Sequence, residues 1–161
     1  MEMAMEANLF IGALSGLAGA FILTLLIYLL GGMGVKIDIP YLLGSRFVDP
    51  SNRGGVYGLG VVLHLVAGAG WGVLYVFLLT AMGVHPDWPA GLLWGFAHGI
   101  FVGVIMGTLS QNHPHIGEGR ALSDPGMMGR RWGAGVPYAL LLLHMTYGAV
   151  TLITYDYLFT P

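Results

Sequence analysis

The chain has 161 residues, of which 56% are hydrophobic and only 9% are charged, and it has no cysteine. A soluble domain carries about 25% charged residues, so this composition is too poor in charge to solvate a globular surface and indicates an integral membrane protein. A net charge of −2 offers no basic surface to nucleic acid, and the lack of cysteine excludes disulfides, thiolate metal sites and cysteine nucleophiles.

Four apolar segments are long enough to cross a bilayer, which takes roughly 20 residues of α-helix. We predict spans over 8–33, 57–82, 89–109 and 134–158, with long loops over 34–56 and 110–133. Asp87 and Pro89 are typical of a helix start, and Pro137 is placed in the same way in the fourth span. The prediction is therefore one all-α domain over 1–161, an integral membrane four-helix bundle.

The basic residues indicate an orientation. All six lie in the two long loops: Lys36, Arg46, Arg53, Arg120, Arg130 and Arg131. The positive-inside rule then places both long loops in the cytoplasm and both termini outside. We expect a bacterial or archaeal cytoplasmic membrane as the location and membrane lipid as a partner.

The two halves of the sequence resemble each other. The matching patterns are Gly12-x3-Gly16-x2-Gly19 with Gly91-x3-Gly95-x2-His98, and His64-x3-Gly68 with His144-x3-Gly148. Their order is the same and their offset is 79 or 80 residues. This favours a duplicated helical hairpin with a pseudo-twofold axis along the membrane normal. The alternative is chance recurrence of short glycine patterns in apolar sequence.

Glycine faces are abundant. The third span has glycine at every fourth position, and the second adds two glycines at the same spacing: Gly91, Gly95, Gly99, Gly103, Gly107, Gly68 and Gly72. Small residues allow helix backbones to approach closely in lipid. Two interpretations stay open, namely packing inside the bundle and a face that docks another subunit.

Three histidines, His64, His98 and His144, fall inside the spans. With a rise of 1.5 Å per residue, their depths agree within roughly 6 Å, so we expect them in one layer. An ionisable group at this depth is a candidate for function. One interpretation is interhelical hydrogen bonding, for example to Tyr75 or Tyr155. A second is axial ligation of a haem or chlorin by His64 and His144.

The third interpretation is a small metal site that uses all three histidines. It is weakened because no carboxylate lies nearby to orient the ligands. We predict no metal site, and the simplest expectation is no cofactor. The pair His113 and His115, which flank Pro114, is expected to form a solvated turn. No catalytic residues are predicted, since the sequence has no serine-hydrolase elbow, zinc-protease motif or phosphate loop, so an enzyme is not expected.

The glycine and histidine motifs resemble those of small four-helix inner-membrane proteins of the YagU-like and related uncharacterised families. The resemblance runs from about Gly12 to Tyr155 and depends on Gly60-x3-His64-x3-Gly68-x3-Gly72-x2-Tyr75, Trp94-Gly95-x2-His98-Gly99, Met106-Gly107 and His144-x2-Tyr147-Gly148. It implies the fold and the topology. It implies no activity, because these families have none that could be transferred.

The sequence favours a non-catalytic accessory or assembly subunit of a larger, energy-transducing membrane complex. Its small size, its glycine faces and the lack of catalytic or ion-coupling groups motivate this hypothesis. The alternative is an electron-transfer or pigment subunit that binds haem or chlorin through His64, His144 and His98. A small-molecule carrier is a weaker third hypothesis.

Overall fold

A computed structural model of the protein describes residues 7–117 and 120–159, which form helices and no strands. The helices are α1 (Leu9–Gly32), α2 (Ile39–Gly44), α3 (Arg53–Ala81), α4 (Trp88–Gln111), the 3₁₀ helix η1 (Met127–Trp132) and α5 (Val136–Phe159). By length and composition, α1, α3, α4 and α5 are each able to cross a membrane. The predicted all-α four-helix bundle is confirmed, and the chain is a membrane protein by the same criterion.

Short polar side chains set the helix starts. Asn8, Asn52 and Asp87 each accept a hydrogen bond from the backbone N–H three residues later, at 3.0 to 3.1 Å. The cap at Asn52 explains why α3 begins at Arg53, four residues before the predicted start at Tyr57.

The two long loops contain helices that the sequence analysis left as loop. Asp38 caps α2, which has Pro40 in its first turn. The short helix η1 contains Met128 and Gly129 with left-handed backbone angles. Six residues carry too few apolar positions to show a helical period, so neither element was predicted.

The long helices pack in the order α3, α1, α5, α4, since α1 contacts α3 and α5, and α5 contacts α4. Glycine allows close packing within two helix pairs, α1 with α3 and α4 with α5. A Cβ on Gly16 would lie 2.8 Å from the Cα of Gly72, and a Cβ on Gly148 would lie 3.1 Å from the Cα of Gly95. At such distances only hydrogen fits, so the glycines define where the backbones meet.

The two hairpins, α1 with α3 and α4 with α5, repeat each other in detail. The N-caps Asn8 and Asp87 are equivalent by the 79-residue offset, and α1 and α4 both have 24 residues. In the loops, Asp49 and Asp124 each accept a hydrogen bond from the N–H two residues later, at 2.9 and 2.8 Å. These matches support a duplicated hairpin.

Both long loops meet at one end of the bundle. Arg46 donates to the carbonyl of Asn112 at 2.5 Å, and Nε2 of His113 donates to the carbonyl of Leu42 at 3.1 Å. His113 is 4% exposed. The prediction of a solvated turn at His113 is therefore wrong, because this ring joins the second long loop to α2. His115 is half-buried beside it.

Candidate functional site

The three intramembrane histidines line one cavity. His64 comes from α3, His98 from α4 and His144 from α5, and the cavity has a volume of about 220 Å³. Its other walls are apolar, with Ala20 from α1 and Ile39 from α2 among them. Three helices that are distant in sequence thus bring the histidines together in the bundle interior.

The hydrogen-bond partners of His64 favour one tautomer of its ring. Its Nδ1 lies 2.9 Å from Oγ1 of Thr24, and that hydroxyl donates to the carbonyl of Ala20 at 2.7 Å. A threonine hydroxyl has one hydrogen to donate. Both contacts are hydrogen bonds only when the hydroxyl donates to Ala20 and accepts from His64, so the tautomer that satisfies both has its proton on Nδ1. Its Nε2 keeps a lone pair.

His144 has the same tautomer for a simpler reason. Its Nδ1 lies 2.8 Å from the carbonyl oxygen of Leu140, one turn earlier in α5. A carbonyl oxygen only accepts, so Nδ1 carries the proton and Nε2 of His144 also keeps a lone pair. Within residues 7–117 and 120–159, the Nε2 atoms of His64 and His144 form no hydrogen bond.

His98 is held by aromatic rings. Its imidazole stacks on the Trp71 indole with the ring centroids 3.8 Å apart, and its Nδ1 lies 3.1 Å from the hydroxyl of Tyr75. The rings of His98 and His144 meet edge to face at 4.8 Å. Tyr75 thus forms one predicted interhelical hydrogen bond, whereas the hydroxyl of Tyr155 accepts from the backbone N–H of Asn8.

Sequence reasoning missed Thr24 as a neighbour of His64. Trp71 was predictable, because it lies seven residues after His64 and so on the same face of α3. Its stacking on His98 was not predicted. No comparable signal linked Thr24 to α3.

The cavity borders the seam between α3 and α4. These two helices are not among the closely packed pairs in the described part of the chain. Their seam is closed by side chains, with Trp71 against Phe101 at 5.3 Å between ring centroids. Ala67 and Phe101 line the cavity and are also exposed on the outer surface. The site is therefore reached from the side of the bundle.

The interpretation of a small metal site can be compared with the geometry of the described residues. Across the two described ranges, no group of three or more histidine or carboxylate side chains is arranged to hold a metal ion. The interpretation that uses His64, His98 and His144 as three metal ligands consequently receives no support from their geometry.

The predicted glycine face of α4 points into the protein. Gly91, Gly95 and Gly99 face α5, and Gly103 and Gly107 face η1. Gly68 and Gly72 of α3 face α1. All seven predicted positions therefore have neighbours within the chain. A second stripe, which the sequence analysis did not single out, runs along the outside of α3 through Gly54, Gly58, Val62, Val66 and Gly70.

No protein family, curated protein or solved structure matches this chain. The resemblance to YagU-like proteins therefore stays a prediction.

Proposed function

We propose that the protein is a membrane subunit that holds a cofactor between α3 and α4, with haem as the candidate, whose iron the Nε2 atoms of His64 and His144 would bind. One observation carries the proposal. Both imidazoles donate Nδ1–H to the protein and keep an unpaired Nε2 at an apolar cavity. Ligating histidines are typically oriented in this way, through the ring nitrogen that does not bind the metal.

The neighbouring residues suit a flat apolar group. Trp71 and Phe101 supply aromatic walls, and Gly68 and Ala20, which pack against each other, line the cavity as well. Haem iron accepts two axial side chains, and bound haem would supply one-electron transfer. Drug-sized ligands occupy roughly 300–1,000 Å³. At about 220 Å³ the cavity is smaller, so a porphyrin requires α3 and α4 to separate along their seam of side chains.

The absorption spectrum of the gently solubilised protein, oxidised and then dithionite-reduced, tests the proposal. We expect a Soret band and a reduced α-band, and we expect His64→Ala and His144→Ala each to abolish both. His85→Ala is the matched control, because this histidine is exposed in the turn between α3 and α4. A spectrum without bands beyond the aromatic region, from protein expressed with haem available, contradicts the proposal.

We propose as a second candidate a non-catalytic accessory or assembly subunit of a larger, energy-transducing membrane complex. The outer stripe of α3 supports it. Its members are exposed at four-residue spacing, and a Cβ on Gly54, Gly58 or Gly70 would meet nothing within 4 Å. In α4 the same spacing packs one backbone on another. A stripe of this kind suits another membrane-protein subunit.

Native mass measurement of the mild-detergent extract tests the second candidate. We expect a second chain to copurify with the wild type and to be lost from Gly70→Leu. A lone, monodisperse wild-type monomer counts against it.

We infer the orientation from charge. All six basic residues lie in the two long loops or at the start of α3, and these loops meet at one end of the bundle. We propose that this end is cytoplasmic, with both termini outside, in a bacterial or archaeal cytoplasmic membrane.

A further inference from the structure

A second, larger cavity lies at the loop end of the bundle. Its volume is about 590 Å³, and it is an open cavity lined by the end of α1, by α2, by the start of α3 and by the second long loop. This volume falls within the roughly 300–1,000 Å³ that small-molecule sites occupy. None of the three intramembrane histidines lines it, and of the residues around the histidine cavity it shares Leu42 alone.

Aromatic rings form much of its wall. Tyr57 is central, with its ring centroid 5.0 Å from that of Tyr41 and 6.2 Å from that of Tyr28. Trp132 of η1 lines the cavity as well. Such clusters attract cations to the ring faces, and ammonium groups are the ligands for which aromatic cages are best known.

A carboxylate lies within the same wall. Asp38 accepts from the hydroxyl of Tyr57 at 2.6 Å and from the backbone N–H of Tyr41 at 3.0 Å. In the described part of the chain Asp38 forms no ion pair. The negative charge of Asp38 and the faces of the tyrosine rings favour a positively charged group on this side of the cavity, while the guanidinium of Arg53, which also interacts with Tyr57, adds a positive charge nearby.

A positive side chain lines the cavity too. Lys36 precedes Asp38 by two residues and is exposed at the cavity wall. The chain reaches this position after Gly34, whose φ of +91° turns it back at the end of α1. A guest that satisfies both Lys36 and Asp38 carries a negative and a positive group at once.

The position of the cavity along the bundle indicates that such a guest comes from the membrane. Tyr28 lies four residues before the end of α1, and Tyr57 lies four residues after the start of α3. Four residues of helix span about 6 Å, so these rings lie near the boundary between hydrocarbon and headgroups. Tyr28 is 40% exposed on the outer face of α1, so the cavity adjoins the surface that lipid covers.

We infer that this cavity binds the headgroup of a zwitterionic phospholipid. The ammonium group lies against the Tyr28, Tyr41 and Tyr57 rings beside Asp38, and the phosphate is bound by Lys36. The apolar part of the wall, which includes Ile27 and Leu42, accommodates the start of an acyl chain.

Lipid binding to the delipidated full-length protein, measured by native mass spectrometry, tests the inference. The probes are phosphatidylcholine, phosphatidylethanolamine and phosphatidylglycerol with identical acyl chains, and free phosphocholine. We expect the two zwitterionic lipids to bind about tenfold more tightly than phosphatidylglycerol, and free phosphocholine not to compete. Equal binding of all three lipids overturns the inference and leaves only the interfacial anchoring common to tyrosine and tryptophan. Competition by free phosphocholine overturns a lipid as the source.

Substitutions in the wall test whether the preference for zwitterionic lipids depends on this cavity. Asp38→Asn retains an N-cap residue for α2 but removes the charge, and Tyr57→Leu removes the central ring. We expect each to abolish the preference for zwitterionic lipids. Lys36→Gln, on an exposed residue that no fold contact requires, weakens all phospholipids about equally. Tyr138→Leu is the matched control, since Tyr138 is 72% exposed near the same end of the bundle. A preference that persists in Asp38→Asn and Tyr57→Leu, or disappears in Tyr138→Leu, overturns the inference.

Discussion

His113 shows how one residue joins the two halves of the molecule. Its Nδ1 accepts from the backbone N–H of His115 at 3.2 Å, so its proton is on Nε2, which donates to the carbonyl of Leu42. Both nitrogens are therefore used by the neutral ring. Protonation of Nδ1 would break the first of these bonds and place a charge near Arg46.

We expect the stability of the protein to depend on pH through His113. Burial lowers the pKa of the His113 imidazole; the hydrogen bond to the carbonyl of Leu42 raises this pKa by less, and the charge of Arg46 lowers it. The unfolded chain, with an ordinary histidine pKa of about 6.5, therefore takes up a proton at higher pH than the folded protein does. The stability that the neutral ring provides is complete above the pKa of the unfolded chain. It is lost as the pH falls from there through the lower pKa of the folded protein.

Thermal unfolding between pH 5 and pH 8 measures this effect. His113→Asn should unfold at a lower temperature than the wild type at pH 8, because it loses a buried hydrogen bond that contributes about 1 kcal/mol. Its pH profile should be flatter. His115→Asn is the control and should retain the wild-type slope. If the unfolding temperatures of the wild type and of His113→Asn change in parallel with pH, the pH dependence does not come from His113.

The depth of the three histidines was predictable from residue spacing alone, because a helix converts sequence distance into height. Their tautomers were not predictable. That of His64 depends on Thr24, which lies 40 residues away in α1. Its hydroxyl acts as an acceptor only because it also donates to Ala20, and a sequence pattern does not show this.

At the scale of elements, hydropathy predicted the four long helices to within a few residues. The direction of each glycine stripe was less predictable. Sequence spacing is the same for the inward stripe of α4 and the outward stripe of α3, so only the packed bundle distinguishes them. The helices α2 and η1 were missed because tertiary contacts, rather than an apolar period, hold them.

The two stripes predict opposite effects of the same substitution. A Cβ on Gly95 would lie 2.7 Å from the Cα of Met145, so Gly95→Ala should destabilise the bundle by about 1–3 kcal/mol. Gly70→Ala meets nothing within 4 Å and should stabilise α3 by up to about 1 kcal/mol, because alanine is the better helix former. Unfolding of the two variants in the same detergent provides the comparison. Similar losses of stability would contradict the packing described here.

At the scale of the whole molecule, the proposed orientation can be tested directly because the chain has no cysteine. Single cysteines are introduced by Ser51→Cys, Ala121→Cys and His85→Cys, all at exposed positions. With a membrane-impermeant maleimide on intact cells, we expect only His85→Cys to react. Labelling of Ser51→Cys and Ala121→Cys before the cells are opened would reverse the proposed topology.

The seam between α3 and α4 also determines the medium from which the histidine cavity is filled. Ala67 and Phe101 place its entrance on the flank of the bundle, where hydrocarbon and not water is the solvent. A molecule that enters by this route first dissolves in the bilayer and then diffuses in two dimensions. Occupancy of the cavity is therefore governed by the lipid–water partition coefficient of the guest as much as by the contacts that the guest makes inside.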